Sequence, residues 1–576
     1  MRAVSLAAVL VLAKCLGLAG RDLPVSIWLP SAVLWQDVAV GVVFWMADRL
    51  VRRPRIAWTI YGVIVAWAAL NVVITRELSS PLTVAMLRAT GGALTDSIAY
   101  YLTAPNVALI ASVLAAGAVL PILFSRPGAR QVAAIIGLLV ALPGPFVARA
   151  IDTRGAQRNA VTALLATSLP RLGAPGAAVP GDLRATPFDD PPADDLVALA
   201  GAGAGRNIVL IILESTGAQY LRPYGAADDP MPTLTALGAE AVQFESAYAV
   251  YPESVKGLFA LLCSQAPAFD VPVHVHANAP CTPLARVLSQ AGYRTGLFHS
   301  GRFGYLGMDA LLARQGFDTM EDAGAIGGNV ESSFGVDEPA TVARMLAWID
   351  GQDRQRPFFL LYMPVAGHHP YATTRPGPFA GPGELNAYKN ALRDGDDSLA
   401  VFLGGLRSRQ IDQQTMVVAV GDHGEAFGQH DGNYGHTLFA YDENVRVPLL
   451  LAIPGVTARP VRARQVASIV DIAPTVLDIA GIAAPAGLQG GSLLHARSRL
   501  AFFYTDYALG WVGLRDGCWK YLLEIDTNRP ALYDVCADPG ETRNRAAEEP
   551  GRVEVYRDRA LAWLAANRAA VRAAQE

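Results

Sequence analysis

Five apolar runs fill the first quarter of the chain, at about 3–20, 28–47, 56–75, 104–124 and 131–149. Each is close to the roughly 20 residues that cross a bilayer core. The first reads as a span rather than a signal peptide, because no small-residue cleavage site follows it and further apolar runs do. The stretch 80–101 is interrupted by Arg88, Asp96 and two glycines and reads as interfacial or re-entrant. Arginines set the expected orientation. Arg49, Arg52, Arg53 and Arg55 lie between runs two and three, and Arg126 and Arg130 between runs four and five. The positive-inside rule makes both loops cytoplasmic. The N-terminus is then inside, and everything after residue 150 lies outside the cytoplasm, anchored by a multi-pass domain in the cell inner (plasma) membrane. A buried or interfacial helix among the five would reverse that orientation.

After residue 150 the pattern changes. Residues 151–205 are rich in Gly, Pro, Ala and Asp without sustained periodicity, which reads as a linker. Then "RNIVLIILEST", "RTGLFHS", "PFFLLYMPVAG", "QTMVVAVGDHG" and "VPLLLAIPG" are short β-branched or apolar runs ending in polar groups, as buried strands do. Helix-period stretches separate them, which predicts an α/β domain with a mainly parallel central sheet. The expected division is a transmembrane helical domain at 1–150, a linker at 151–205, a catalytic α/β domain at 206–500, and a small antiparallel appendage with a terminal helix at 501–576.

Composition supports this picture. The chain is 52% hydrophobic and 17% charged, and its mean hydropathy is +0.28. A net charge of −4 without a dense basic tract argues against nucleic-acid partners. Cys263 with Cys281 and Cys518 with Cys536 form two local pairs. In an exported domain these suggest disulfides, local pairing being the simplest of three connectivities; free core cysteines are the alternative.

The candidate chemistry lies at the strand ends, where α/β sheets bind ligands. Asp422 and His423 leave one apolar run together, and Glu214 ends another. Two carboxylates and an imidazole suit a divalent metal of borderline softness. Ser254, in "YPESVKGLFALLCS", reads either as a helix cap or as a fourth ligand and nucleophile, because coordination lowers a hydroxyl's pKa. The N–H groups of the helix it opens would face an incoming anion. Gly421 and Gly424 are expected to let the chain turn tightly. Lys256 is a candidate for stabilising charge or a solvent-facing residue, and Arg302 a candidate anion clamp beside His299. His430 and Asp431 read as a second metal site or, more simply, a solvated loop.

Together, "NIVLIILEST", "PESVKGLFALL", "GHHP" and "GDHGEAFG" resemble the sulfatase-like branch of the alkaline phosphatase superfamily. The arrangement is similar to lipoteichoic acid synthase and phosphoethanolamine transferase type enzymes. That resemblance implies that Glu214, Ser254, Asp422 and His423 bind manganese or zinc, with magnesium or calcium as further choices. It implies catalytic roles for Ser254, His368 and His436, and substrate contacts for Lys256, Arg302 and His369. The implied reaction transfers a phospho-head group (phosphoglycerol or phosphoethanolamine) from a membrane lipid donor to an envelope glycan or lipid acceptor through a covalent Ser254 intermediate. The alternatives are a sulfatase or phosphodiesterase and, more remotely, a non-catalytic envelope binding protein. Two departures matter. Ser254 lacks the C/S-x-P-S-R context of formylglycine formation, and Glu214–Ser215 replaces the double aspartate usual in sulfatases. The C-terminal "LYDVCADPGETRN" is in turn more sulfatase-like than synthase-like.

Overall fold

The computed structural model describes residues 1–89, 95–169, 179, 181–188, 193–329, 332, 334–351, 355–457 and 459–573. The N-terminal region forms nine helices among these residues: α1 (Arg2–Gly17), α2 (Leu29–Leu50), α3 (Pro54–Leu78), α4 (Val84–Ala89), α5 (Thr95–Tyr100), α6 (Ala104–Leu123), α7 (Pro127–Ala141), α8 (Gly144–Ala150) and α9 (Ala160–Ser168). Three of them, α2, α3 and α6, are long and apolar enough to cross a membrane, and the pair α7 and α8, bent by 41°, would make a fourth. The expected five spans are thereby corrected to three, or four with that pair. At 1.5 Å per residue, α1 with its 16 residues reaches about 24 Å, against a hydrocarbon core of roughly 30 Å. It also carries Lys14, buried against Asp37 of α2 at 2.6 Å. The fifth run breaks at Leu142–Pro143 because proline cannot continue the hydrogen-bond ladder.

The middle of the expected linker, at 170–178, 180 and 189–192, and part of the 80–101 stretch lie outside the described residues. The described remainder is no loose spacer. Helix α9 opens with a capping box on Asn159, and Arg184 forms a bidentate ion pair with buried Asp471 at 2.6 and 2.8 Å. Arg184 also donates to the Leu500 and Gln489 carbonyls.

The α/β domain is built on β1 (Asn207–Leu213), β2 (Val242–Tyr248), β3 (Arg294–His299), β4 (Thr319–Glu321), β5 (Phe358–Met363) and β6 (Thr415–Gly421). Further along follow β7 (Ala426–Phe427), β8 (Tyr434–Gly435), β9 (Arg446–Val447), β10 (Leu449–Ala452) and β11 (Val461–Ser468). The main sheet runs β11-β2-β10-β6-β1-β5-β3-β4, with β9 beside β2. Its centre, β6-β1-β5-β3, is parallel, whereas β10 is antiparallel to both β6 and β2. Alternate side chains of β1 enter two cores. Ile208, Leu210 and Ile212 pack into one with the helix Ser254–Cys263, and Val209, Ile211 and Leu213 into the other with the helix Glu384–Ser408. A strand covered on both faces needs a continuous apolar run. Burying each such side chain contributes about 1.5–3 kcal/mol.

The C-terminal appendage is a four-stranded antiparallel sheet, β12 (Ala501–Thr505) to β13 (Trp511–Asp516) to β14 (Trp519–Glu524) to β15 (Arg529–Asp534), followed by the helix Pro550–Ala573. Both expected disulfides form, Cys263–Cys281 and Cys518–Cys536.

The buried ion pair in the linker yields a stability test. Arg184→Leu strands Asp471 without its partner, so the α/β domain should lose about 3–5 kcal/mol. Urea unfolding of the full chain in detergent, followed by tryptophan fluorescence, measures the change. An unchanged midpoint would show that the linker contributes no stability to the domain.

Candidate active site

Sheet register brings the site together. Leu213 of β1 pairs with Gly421 of β6, so Glu214 and Asp422, the next residue in each strand, emerge side by side at the carboxyl ends. Gly421 and Gly424 serve close approach rather than a left-handed turn, a correction to the sequence expectation. A Cβ at Gly421 would lie 2.6 Å from the Thr216 carbonyl oxygen, and one at Gly424 only 2.2 Å from that of Glu443. Ser215 takes the positive φ instead, at 52°. Its N–H donates to Asp422 Oδ1 at 3.0 Å, and the His423 N–H donates to the same oxygen at 2.8 Å.

The helix Ser254–Cys263 is α11, the intervening α10 being Pro232–Gly238. Its cap is Glu253, whose carboxylate accepts from the Val255 and Lys256 N–H groups at 2.8 and 3.3 Å. Ser254 is therefore not the cap, and its hydroxyl is released for the site. The same contacts correct the expectation that these N–H groups face an anion, since Glu253 already occupies them. The Ser254 hydroxyl donates to Glu214 Oε2 at 2.9 Å and lies 3.3 Å from His423 Nε2. His423 Nε2 is 3.6 Å from Glu214 Oε1 and 3.5 Å from Asp422 Oδ2. The other ring nitrogen donates to the Gly424 carbonyl at 3.0 Å, which fixes the tautomer and leaves Nε2 bare toward the cluster.

This donor set fits a divalent cation. Ligand atoms of Glu214, Asp422 and His423 lie within 4.8 Å of one another, and all three residues are buried. Burial and the neighbouring charge of Glu214 push the Asp422 carboxyl up to about 6. A cation between two such carboxylates would relieve that repulsion.

Beside this cluster stand two histidines. His436 stacks on His423 with ring centres 4.2 Å apart, and its Nδ1 is 2.7 Å from Glu425 Oε2. Burial alone would lower its pKa, but the Glu425 carboxylate pushes it up to about 9. His368 lies with its ring 6.5 Å from that of His436 and stacks on Phe334 at 3.6 Å. Burial drives its pKa down to about 4; its Nδ1 donates to the His369 carbonyl at 2.6 Å, which leaves Nε2 as the acceptor. Arg302 follows β3 in a half-buried loop, its carbonyl accepting from the Tyr305 N–H at 3.1 Å.

Other expectations are corrected. Lys256 is neither solvent-facing nor free: its ammonium pairs with buried Asp506 at 3.0 Å and sits 4.1 Å from the Tyr251 ring centre. His369 turns to α5 and is described below. His299 donates to the Met363 carbonyl at 2.9 Å within the core. His430 pairs with Glu443 at 2.6 Å and stacks on Tyr441, while Asp431 binds Arg21 at 2.9 Å and Arg154 at 3.5 Å; the pair forms no second metal site.

Three acids escaped sequence reasoning. Glu253 was hidden by the adjacent serine, a more usual cap. Glu425 lay in plain sight in "GDHGE" but needs the β7–β8 hairpin to reach His436. Glu338 had no local signal. It is buried, and its Oε1 accepts from Ser300 Oγ, Val365 N–H and Ala366 N–H at 2.8, 2.7 and 3.1 Å, fixing the loop that carries His368.

Residues 206–482 match the family model described as sulfatase, and residues 430–558 match that of the C-terminal region of N-sulphoglucosamine sulphohydrolase. Arylsulfatase K of Mus musculus is 34% identical over 174 residues, which are 27% of this chain and 31% of that protein. The chain thus spans about a third of that relative's length. N-acetylgalactosamine-6-sulfatase of Homo sapiens is 25% identical over 430 residues, 59% of this chain and 82% of that protein. The fold is shared with the lipoteichoic acid synthase LtaP from Listeria monocytogenes, with a TM-score of 0.55 and 18% identity over 66% of this chain and 96% of that one. Over residues 206–482 the chain is thus similar to the sulfatase family.

Proposed function

We propose that the chain is a membrane-anchored, metal-dependent ester hydrolase that cleaves a sulfuric or phosphoric ester with Ser254 as nucleophile. The observation that carries this reading is the Ser254 hydroxyl, relieved of capping by Glu253 and held 2.9 Å from Glu214 and 3.3 Å from His423. The names of the sulfatase relatives put sulfuric esters first. Envelope lipids as donors of a transferred phospho-head group form the second reading, favoured by the apolar helices and by the missing formylglycine context of Ser254.

In the hydrolytic cycle Ser254 Oγ attacks the sulfur or phosphorus, and its proton passes to Glu214 Oε2. The bond to the leaving oxygen breaks, and that oxygen takes a proton from His436, which Glu425 keeps charged. Water then attacks the Ser254 ester and gives a proton to the now neutral His436; the bond to Ser254 Oγ breaks, that oxygen takes back the proton held by Glu214, and the anion is released. A divalent cation held by Glu214, Asp422 and His423 with Ser254 would supply charge stabilisation and a lower hydroxyl pKa. In the transfer reading a glycan or lipid hydroxyl takes the place of water. With the arginine loops on the cytoplasmic side of the inner membrane and the bent pair α7 and α8 making the last crossing, the site lies outside the cytoplasm.

Intact-mass and rate measurements on the full chain in detergent test the reading, with 4-nitrophenyl sulfate, 4-nitrophenyl phosphate and phosphatidylglycerol as probes. Ser254→Ala should cost at least about 10³-fold in kcat/KM, and EDTA should abolish turnover. Sulfate or phosphate release identifies the ester, and a phosphoglycerol adduct on Ser254 would favour transfer. Full activity of Ser254→Ala would remove the nucleophile from the reading.

Metal content separates the two lysine and aspartate roles. Asp422→Ala should lose the bound divalent cation by elemental mass spectrometry. Lys256→Met should keep it while losing about 3–5 kcal/mol of stability, because buried Asp506 loses the ammonium it pairs with. Loss of metal in Lys256→Met would instead place that lysine in the site.

The leaving-group role of His436 is tested by substrate choice. His436→Gln should slow an alkyl ester at least about tenfold more than a 4-nitrophenyl ester, whose departing phenolate needs no proton. Equal losses on both would exclude His436 as the acid.

A further inference from the structure

Between the third and sixth helices the chain sends a short segment back to the site. The Ser97 hydroxyl donates to the His369 carbonyl at 3.3 Å and lies 3.1 Å from His369 Nδ1. The Tyr101 ring stacks on the His369 ring at 5.4 Å with 3° between planes, and the Tyr100 ring meets it edge-on at 5.0 Å. The contact then continues inward. His369 meets the Tyr371 ring at 5.3 Å, the Tyr371 hydroxyl donates to Glu425 Oε1 at 2.8 Å, and Glu425 pairs with His436. A residue of the helical domain is thus two side chains from the carboxylate that pairs with His436.

The height of this contact is set by the apolar helices. Asn106, in the first turn of α6, donates to the Tyr101 carbonyl and to Glu77 in the last turn of α3, each at 3.0 Å. Two helices long and apolar enough to span a bilayer therefore end within about one turn of the residue stacked on His369. The same segment also exposes apolar side chains, Ile98 at 47% and Leu102 at 68%. At the same end of the bundle, the loop joining α1 and α2 exposes Val25 and Ile27 and is tied to the α/β domain through Arg21 and Asp431.

We infer that residues 97–102 are a wall of the active site, and that they select an amphiphilic ester whose head reaches Ser254 while its apolar body lies along Ile98 and Leu102 at the membrane surface. This rests on the ester-cleaving reading of the site and adds to it the substrate class and the residues that choose it. Ser97 and Tyr101 are positioning residues acting through His369, and Ile98 and Leu102 contact the substrate's chain. A freely soluble sugar ester would gain nothing from either exposed side chain.

The test uses the full chain in nonionic micelles and two esters of one anion, phenyl and 4-dodecylphenyl, with matched leaving groups. Wild type should favour the dodecyl ester at least about tenfold in kcat/KM, the effect of burying only two of its twelve carbons. Ile98→Glu with Leu102→Glu should remove most of that preference through KM while the protein keeps its cation and its micelle. The same preference in the double variant would overturn the inference, as would parity in wild type. If neither ester is turned over and Ser254 gains no adduct, the hydrolase reading has failed on its own. The inference is then decided by binding of the two esters to Ser254→Ala in competition, where a dodecyl preference that the double variant loses supports it and parity overturns it.

Discussion

The parallel register of β1 and β6 is the constraint on which the chemistry depends. With Leu213 opposite Gly421, two carboxylates leave the sheet at one level with nowhere to separate. A shift of one residue would turn every side chain of β1 into the other core, so the apolar alternation that stabilises the domain also fixes where Glu214 emerges. The resulting crowding is retained against cost. Ser215 is held at a φ of 52°, a conformation that costs roughly 1–2 kcal/mol in a residue with a Cβ, and Asp422 resists ionisation beside Glu214. A divalent cation held between the two carboxylates would offset the second of these penalties.

A second constraint is a division of labour at α11. Helix N-termini leave N–H groups that must be satisfied, and a serine at that place normally satisfies them. Here Glu253 takes both bonds, and Ser254, one residue later, is left with a hydroxyl that has no structural duty. The helix behind it is buried on every side among the core residues, so its first turn cannot drift. The Ser254 hydroxyl is positioned by a hydrophobic cylinder and freed by its neighbour's carboxylate.

Much of this was legible in the sequence because it is periodic or local. The apolar runs of β1, β3, β5 and β6, the polar residues that end them, and the Cys263–Cys281 and Cys518–Cys536 pairs all follow from short-range pattern. The errors came where partners lie far apart along the chain. Lys256 looked available until Asp506, 250 residues away, closed around it. Glu338 carries no motif, yet it fastens the His368 loop through hydrogen bonds that only the packed domain creates. Apolar length misled for other reasons. The runs at 3–20 and 131–149 have the composition of spans, but Lys14 seeks Asp37 across the bundle and Pro143 breaks the ladder.

The union of the helical and α/β domains bears on how the site works. They are joined by polar contacts at several depths: Thr83 donates to the Tyr507 carbonyl at 2.7 Å, Arg529 pairs with Asp152 at 2.6 Å, and Arg21 and Arg154 converge on Asp431. Leu82 and Met86 are buried in a core that includes Tyr248, Phe503 and Trp511. A catalytic domain on a flexible tether would need none of these, since a tether restricts distance and not orientation. Contacts on both flanks of the site restrict orientation as well. The carboxyl edge of the sheet is then presented at one angle to whatever the apolar helices are embedded in, and reach into bulk solvent is given up for a fixed approach to a surface.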